Sequence, residues 1–104
     1  MNRIRLILSH SELEKEAQSF HENGKELLNV GDSHSAATSF SFAYVFYREA
    51  GNITKMNDCY NKIQICDFDS DSIEQLIDKS EKSISWSYSI SSMACHFSLK
   101  KAAN

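Results

Sequence analysis

The chain has no proline, and glycine stands at only three of its 104 positions, Gly24, Gly31 and Gly51. Tight turns lean on these two residues, because glycine reaches positive φ without steric cost and proline presets φ at roughly −65°. A sandwich or barrel needs such a turn roughly every ten residues, and this chain lacks the residues to make them. What remains is a small number of long elements joined by short breaks, which points to helices. Apolar residues at 41% and charged residues at 24% lie close to the globular average, so a folded single domain is expected rather than a disordered chain.

Helical periodicity then divides the sequence. Ser11-Glu12-Leu13-Glu14 has the form of a capping box, in which serine and glutamate each satisfy a backbone N–H at a helix start. Leu13, Ala17, Phe20, Gly24, Leu27 and Leu28 follow at steps of three and four, with Glu12, Lys15, Glu22 and Lys25 on the opposite, solvated face. Gly31 suits a left-handed stop, and Asp32 or Ser33 can cap the next helix. That second helix carries Ala36, Phe40, Ala43, Tyr47 and Ala50 on one stripe, with Phe42, Val45 and Phe46 extending the apolar cover. A helix apolar over most of its circumference packs on more than one neighbour. Gly51 and Asn52 repeat the stop-and-cap pattern before a third stripe of Ile53, Met56, Tyr60 and Ile63, with Cys59 and Cys66 beside it. A polar break at residues 67–71 precedes Ile73, Leu76, Ile77 and Ile84, again at helical spacing.

Beyond that point, residues 84–90 alternate apolar and serine with period two, the pattern of a half-buried strand. Helix through to Leu99 is nevertheless the preferred reading. No turn signal separates Glu74 from His96, and a lone strand would have only Ile4–Leu8 to pair with. The expected fold is all-α, an antiparallel four-helix bundle with helices at about 12–30, 33–50, 53–66 and 71–99. Its second helix is expected at the centre.

The hairpin formed by residues 12–50 resembles a tetratricopeptide repeat. With Gly24 at that motif's helix-A glycine, Phe20 takes the aromatic position before it, and Ala36, Phe40 and Ala43 take the small, aromatic and small positions after it. The stretch is also similar to an archaeal family of uncharacterised helical proteins, through Phe20, Asn23-Gly24, Gly31-Asp32 and Phe42-Ala43. The resemblance implies two helices crossing closely over small residues, and a role in binding other proteins. Asn23 departs from the repeat pattern, which favours leucine there, and no proline closes the second helix. No repeat recurs along the chain, so a solenoid is not expected. A three-helix microtubule-interacting-and-transport module is a further relative by shape.

Candidate chemistry is sparse. Asp67, Asp69 and Asp71 alternate, and Asp78 is the twelfth residue from Asp67, which imitates the oxygen ligands of an EF-hand loop. Ser72 replaces the glycine that such a loop needs at its turn, and Glu74 replaces an aliphatic residue. The plainer reading is that Ser70 or Asp71 caps the following helix, with carboxylates favouring its positive N-terminus. Cys59, Cys66 and Cys95 show no paired spacing for zinc and read as reduced core thiols of a cytoplasmic protein. His10, His21, His34 and His96 are scattered, with His21 and Glu22 expected on the surface. No nucleophile elbow and no glycine-rich phosphate loop is present. Neither catalysis nor a cofactor is therefore expected.

A formal charge of −3 argues against a nucleic-acid partner. The segment Ile4–Leu8 is too short for a signal peptide or a membrane span. The aromatic surplus points instead to a protein or peptide partner, or to a second copy of the chain, meeting Phe42, Tyr44, Phe46, Tyr47, Trp86 and Tyr88. A non-catalytic interaction or self-association module is the leading expectation. The alternative is an accessory protein that binds a small molecule or metal ion, using the bundle core or the Asp67–Asp78 loop.

Overall fold

The computed structural model of the chain describes residues 8–85. These form α1 (His10–Asn29), α2 (Ser33–Ala50), α3 (Ile53–Ile65) and α4 (Ser70–Ile84), with no strand among the described residues. The fold is an all-α bundle. Asp32 and Asn52 cap α2 and α3 as expected, accepting from the N–H groups of Ser35 and Lys55 at 3.2 Å each.

Two starts differ from expectation. The capping box of α1 is Ser9 with Glu12, not Ser11 with Glu14: Ser9 Oγ accepts from Glu12 N–H at 3.2 Å, and Glu12 Oε1 accepts from Ser9 N–H at 2.8 Å. Both pairs have the same spacing. Leu8 selects the earlier one, because it stands just before the cap, packs on the core, and leaves Leu13 at the matching position of a hydrophobic staple. For α4 the cap is Asp69, which accepts from Ser72 N–H at 2.8 Å, one residue before Ser70 and two before Asp71, the expected caps. The carboxyl of Asp69 is held below its ordinary range by that backbone hydrogen bond and by the Ser72 side chain.

Gly31 and Gly51 stop α1 and α2 with φ of 85° and 79°, and the following N–H groups of Asp32 and Asn52 reach back to Leu27 and Tyr47 carbonyls at 2.9 Å. Asp67 does the same work after α3 with φ 73°, a conformation that costs an L residue about 1 kcal/mol. Opposite outcomes are expected at these positions. Gly51→Ala should lower stability by about 1 kcal/mol, and Asp67→Gly should raise it by several tenths, in urea unfolding.

α2 packs against each of the other three helices, while α3 and α4 meet only lightly. The expectation of a central second helix is therefore met. Ala36, Phe40, Ala43, Val45, Phe46 and Tyr47 are buried around α2, and Leu13, Ala17 and Gly24 are buried on α1. A Cβ on Gly24 would lie 2.8 Å from Cε1 of Phe40, so the bare glycine lets α1 rest on that ring. Asn23 donates to Ser39 Oγ at 2.6 Å, a polar tie between the two helices where the repeat motif would place leucine. α3 is turned relative to its expected stripe: Cys59, Ile63 and Cys66 are buried, Met56 and Tyr60 half-buried, and Ile53 exposed. α4 buries Ile73, Ile77 and Ile84 as expected, and also Ser80 and Glu81.

The expected continuation of helix from Trp86 to Leu99 lies outside the described residues, as do residues 4–7, Tyr88, Cys95, His96 and Phe97. Ile84, the first residue of the alternating segment, is helical.

Candidate functional site

Two places bring polar groups together inside this apolar frame. The first lies between α2 and α4. Tyr44 and Arg48 project from α2, one helical turn apart, towards Glu74, Ile77, Asp78 and Glu81 of α4. Together they line a partly open cleft of about 150 Å³. At its inner end the guanidinium of Arg48 donates from Nη2 to Glu81 at 2.7 Å and from Nε to Glu49 at 3.3 Å. Glu81 is only 5% exposed, so its charge depends on that partner. Above the cleft Ser41 donates to the carbonyl of Thr38 at 2.7 Å. Its hydroxyl proton is thereby used, so Ser80 is the donor in the 2.5 Å Ser41–Ser80 bond. These contacts set the register of α4 on α2.

The rim of the cleft is acidic. Glu74 and Asp78 stand one turn apart on the exposed side of α4, and Asp78 makes a solvent-exposed pair with Lys82 at 3.2 Å. The Tyr44 ring forms one wall, tilted against Tyr60 with centroids 6.3 Å apart. Burial pushes the Tyr44 phenol above its ordinary value, Arg48 opposes the rise, and Glu74, Tyr60 and Glu81 add to it.

The second place is a buried histidine between α1, α2 and α3. His21 was expected on the surface and is instead 6% exposed, set edge-on between the rings of Phe40 and Tyr47. Its Nε2 lies 3.0 Å from Oδ2 of Asp58 and its Nδ1 3.4 Å from the Tyr47 hydroxyl. A carboxylate only accepts, so Nε2 carries the proton of the neutral ring and Nδ1 accepts from Tyr47. Asp58 also accepts from Lys62 at 3.4 Å. Removal from water lowers the His21 pKa from 6.5, the bond and charge of Asp58 resist the fall, and Lys25 and Lys55 assist it. Burial also pushes the neighbouring Tyr47 phenol and Cys59 thiol up to about 12 each, leaving both neutral. This cluster ties helices together and presents no activated nucleophile.

A pH dependence follows from His21. Its proton is held less tightly in the folded chain, so the unfolded chain binds more protons between the lowered value and 6.5. Stability is at its full value above pH 6.5 and should fall as the pH drops through that region. His21→Gln should flatten this part of the profile in urea melts collected from pH 7.5 to 5.

The other expected sites resolve into separate roles. Asp69 is a helix cap, Asp67 forms a turn, Asp71 sits exposed in the first turn of α4, and Asp78 pairs with Lys82 on the cleft rim. The four carboxylates do not converge, and no metal-holding group of three or more His, Cys, Asp or Glu occurs among the described residues. Of the aromatic partner residues, Phe46 and Tyr47 are buried in the core, at 0% and 2% exposure, because α1 covers them; this corrects their placement on a partner face. Phe42 is half-buried against Phe20 at 5.0 Å, and Tyr44 is the one that lines the cleft. Trp86 and Tyr88 lie outside the described residues. Arg48 and Glu81 were missed. An arginine and a glutamate on otherwise apolar helix faces carried the signal. The large exposed apolar side chains among the described residues are Val30, Ile53 and Ile65, all near helix ends.

No helix of the described residues is long and apolar enough to cross a membrane. No protein-family model, curated protein or solved structure matches this chain.

Proposed function

We propose that the chain is a non-catalytic protein-interaction module that receives a partner polypeptide at the α2–α4 cleft. The observation that carries this reading is the size and make-up of the cleft. At about 150 Å³ it is well below the several hundred Å³ of pockets that enclose cofactors or small-molecule substrates. It matches a single inserted side chain, the way a protein surface takes up an anchor residue. Its floor is made rigid by the Arg48–Glu81 pair and by Ile77, so little ordering is needed on binding. The tetratricopeptide-like spacing of the α1–α2 hairpin supports the same reading, with α2 as scaffold and its α4-facing side as the receiving surface.

A photo-reactive benzoylphenylalanine placed at Tyr44 in the native host tests this proposal, with the same group at exposed Lys79 as control. The expected result is a discrete adduct from position 44 alone, whose purified partner re-forms the complex in sedimentation runs. Identical labelling from both positions, or none, would overturn it.

A further inference from the structure

Resting on that interaction reading, we infer that the cleft takes the basic side chain of a partner polypeptide, with the ring of Tyr44 and Ile77 along its aliphatic stem and the carboxylates of Glu74 and Asp78 at its charged head. The cleft already holds one cation, Arg48. Arg48 is engaged by Glu81 at 2.7 Å and by Glu49 at 3.3 Å, so its charge is answered twice within the floor. The rim residues Glu74 and Asp78 are then left facing solvent. Lys82, 3.2 Å from Asp78, makes the one pair recorded for either of them among the described residues. That pair joins two exposed side chains, 77% and 55% accessible, and such pairs are held weakly. An incoming cation can displace Lys82 at little cost.

The remaining walls suit the same guest. An aromatic face beside a carboxylate pair attracts a guanidinium or ammonium group, and long basic side chains bury their methylenes while keeping the charge outside. An anion would meet three carboxylates, from Glu74, Asp78 and Glu81, and is disfavoured. An apolar side chain would strip water from Glu74 and Asp78 without replacing their hydrogen bonds.

The test is a titration of the full 15N-labelled chain, followed by amide chemical shifts at low salt, with acetyl-Gly-Arg-Gly-amide as the probe. The lysine peptide, the citrulline peptide and calcium chloride serve as comparisons. Saturable shifts confined to the cleft residues are expected from the arginine and lysine peptides, with an affinity of about millimolar. They should weaken at least about tenfold in 0.5 M salt, where charges are screened beyond roughly 4 Å. The double variant Glu74→Gln, Asp78→Asn should weaken them by a similar factor, with an unchanged thermal melt because both positions are exposed. Equal shifts from the citrulline peptide, shifts reproduced by calcium alone, or indifference to the double variant would overturn the inference. If benzoylphenylalanine at Tyr44 captures a partner while the basic peptides fail, the interaction reading stands and only its preference for a cation falls.

Discussion

Phe40→Ala is expected to lower the stability of the chain by about 3–5 kcal/mol, the usual cost of removing a fully buried phenylalanine from a packed core. For a domain of this size that corresponds to a fall in Tm of roughly 15–30 °C, readable by circular dichroism. Phe40 rests on the bare backbone of Gly24, where a Cβ would come within 2.8–2.9 Å of three of its ring carbons. In the native protein Gly24→Ala must force that buried ring aside, at about 1–3 kcal/mol, and this outweighs the gain of about 1 kcal/mol in helix propensity. With Phe40→Ala already in place the obstruction is gone, and the same glycine substitution should become stabilising by up to about 1 kcal/mol. A double-mutant cycle measures the reversal directly. Additive effects would show that α1 does not lie on α2 at this crossing.

Arg48→Ala carries the second large effect. The buried carboxylate of Glu81 would lose its 2.7 Å partner, and stranding a charge in this way typically costs about 3–5 kcal/mol. Two further measurements identify the cause. The deficit should shrink as the pH falls towards 4, because an unpartnered buried carboxyl escapes the penalty by taking up a proton. Replacing the pair together, Arg48→Met with Glu81→Leu, should recover part of the loss, since the Glu81 charge is then gone while Glu49 still loses its 3.3 Å contact with Arg48. A deficit that ignores pH and persists in the double variant would place the role of Arg48 in packing alone. Both Phe40 and Arg48 lie on α2, roughly 80° apart around its axis, so the two experiments probe neighbouring faces of the same helix, one meeting α1 and the other α4.

Much of this arrangement was legible in the residues themselves. Among the described residues, the number of helices, the turns between them and the central place of α2 follow from apolar spacing, from Gly31 and Gly51, and from the capping side chains of Asp32 and Asn52. These are local effects: a cap bonds an N–H three residues away, and a glycine adopts positive φ within its own turn. Where the reading slipped by a residue or two, as with Ser9 against Ser11 and Asp69 against Ser70 or Asp71, neighbouring side chains offered equivalent local bonds. Leu8 at the staple position was the extra signal at the first of these.

The face that each helix buries is only partly local. Ile53 fits the stripe of α3 by spacing yet is 54% exposed, because α3 turns towards α2 through Cys59, Ile63 and Cys66 instead. His21 looks like a surface residue in its own window of sequence, and Glu81, although it follows Ile77 on an apolar face, gives no local sign of its partner. They are buried because Asp58, 37 residues away, and Arg48, 33 residues away, meet them across the bundle. A polar side chain is withdrawn from water only when its partner arrives with it, and partners brought from other helices leave no periodic trace. The aromatic surplus divides for the same reason: α1 closes over Phe46 and Tyr47, whereas Tyr44 faces a cleft that exists only because α4 docks on α2.

The sequence by itself determined that the described part of this chain makes helices, where they break to within a residue or two, and, through the apolar cover around α2, which of them lies at the centre, since caps, glycine stops and apolar spacing are all read within one helix. The tertiary structure alone decided which charges are buried and where a side-chain-sized cleft opens, since both require helices distant in sequence to meet.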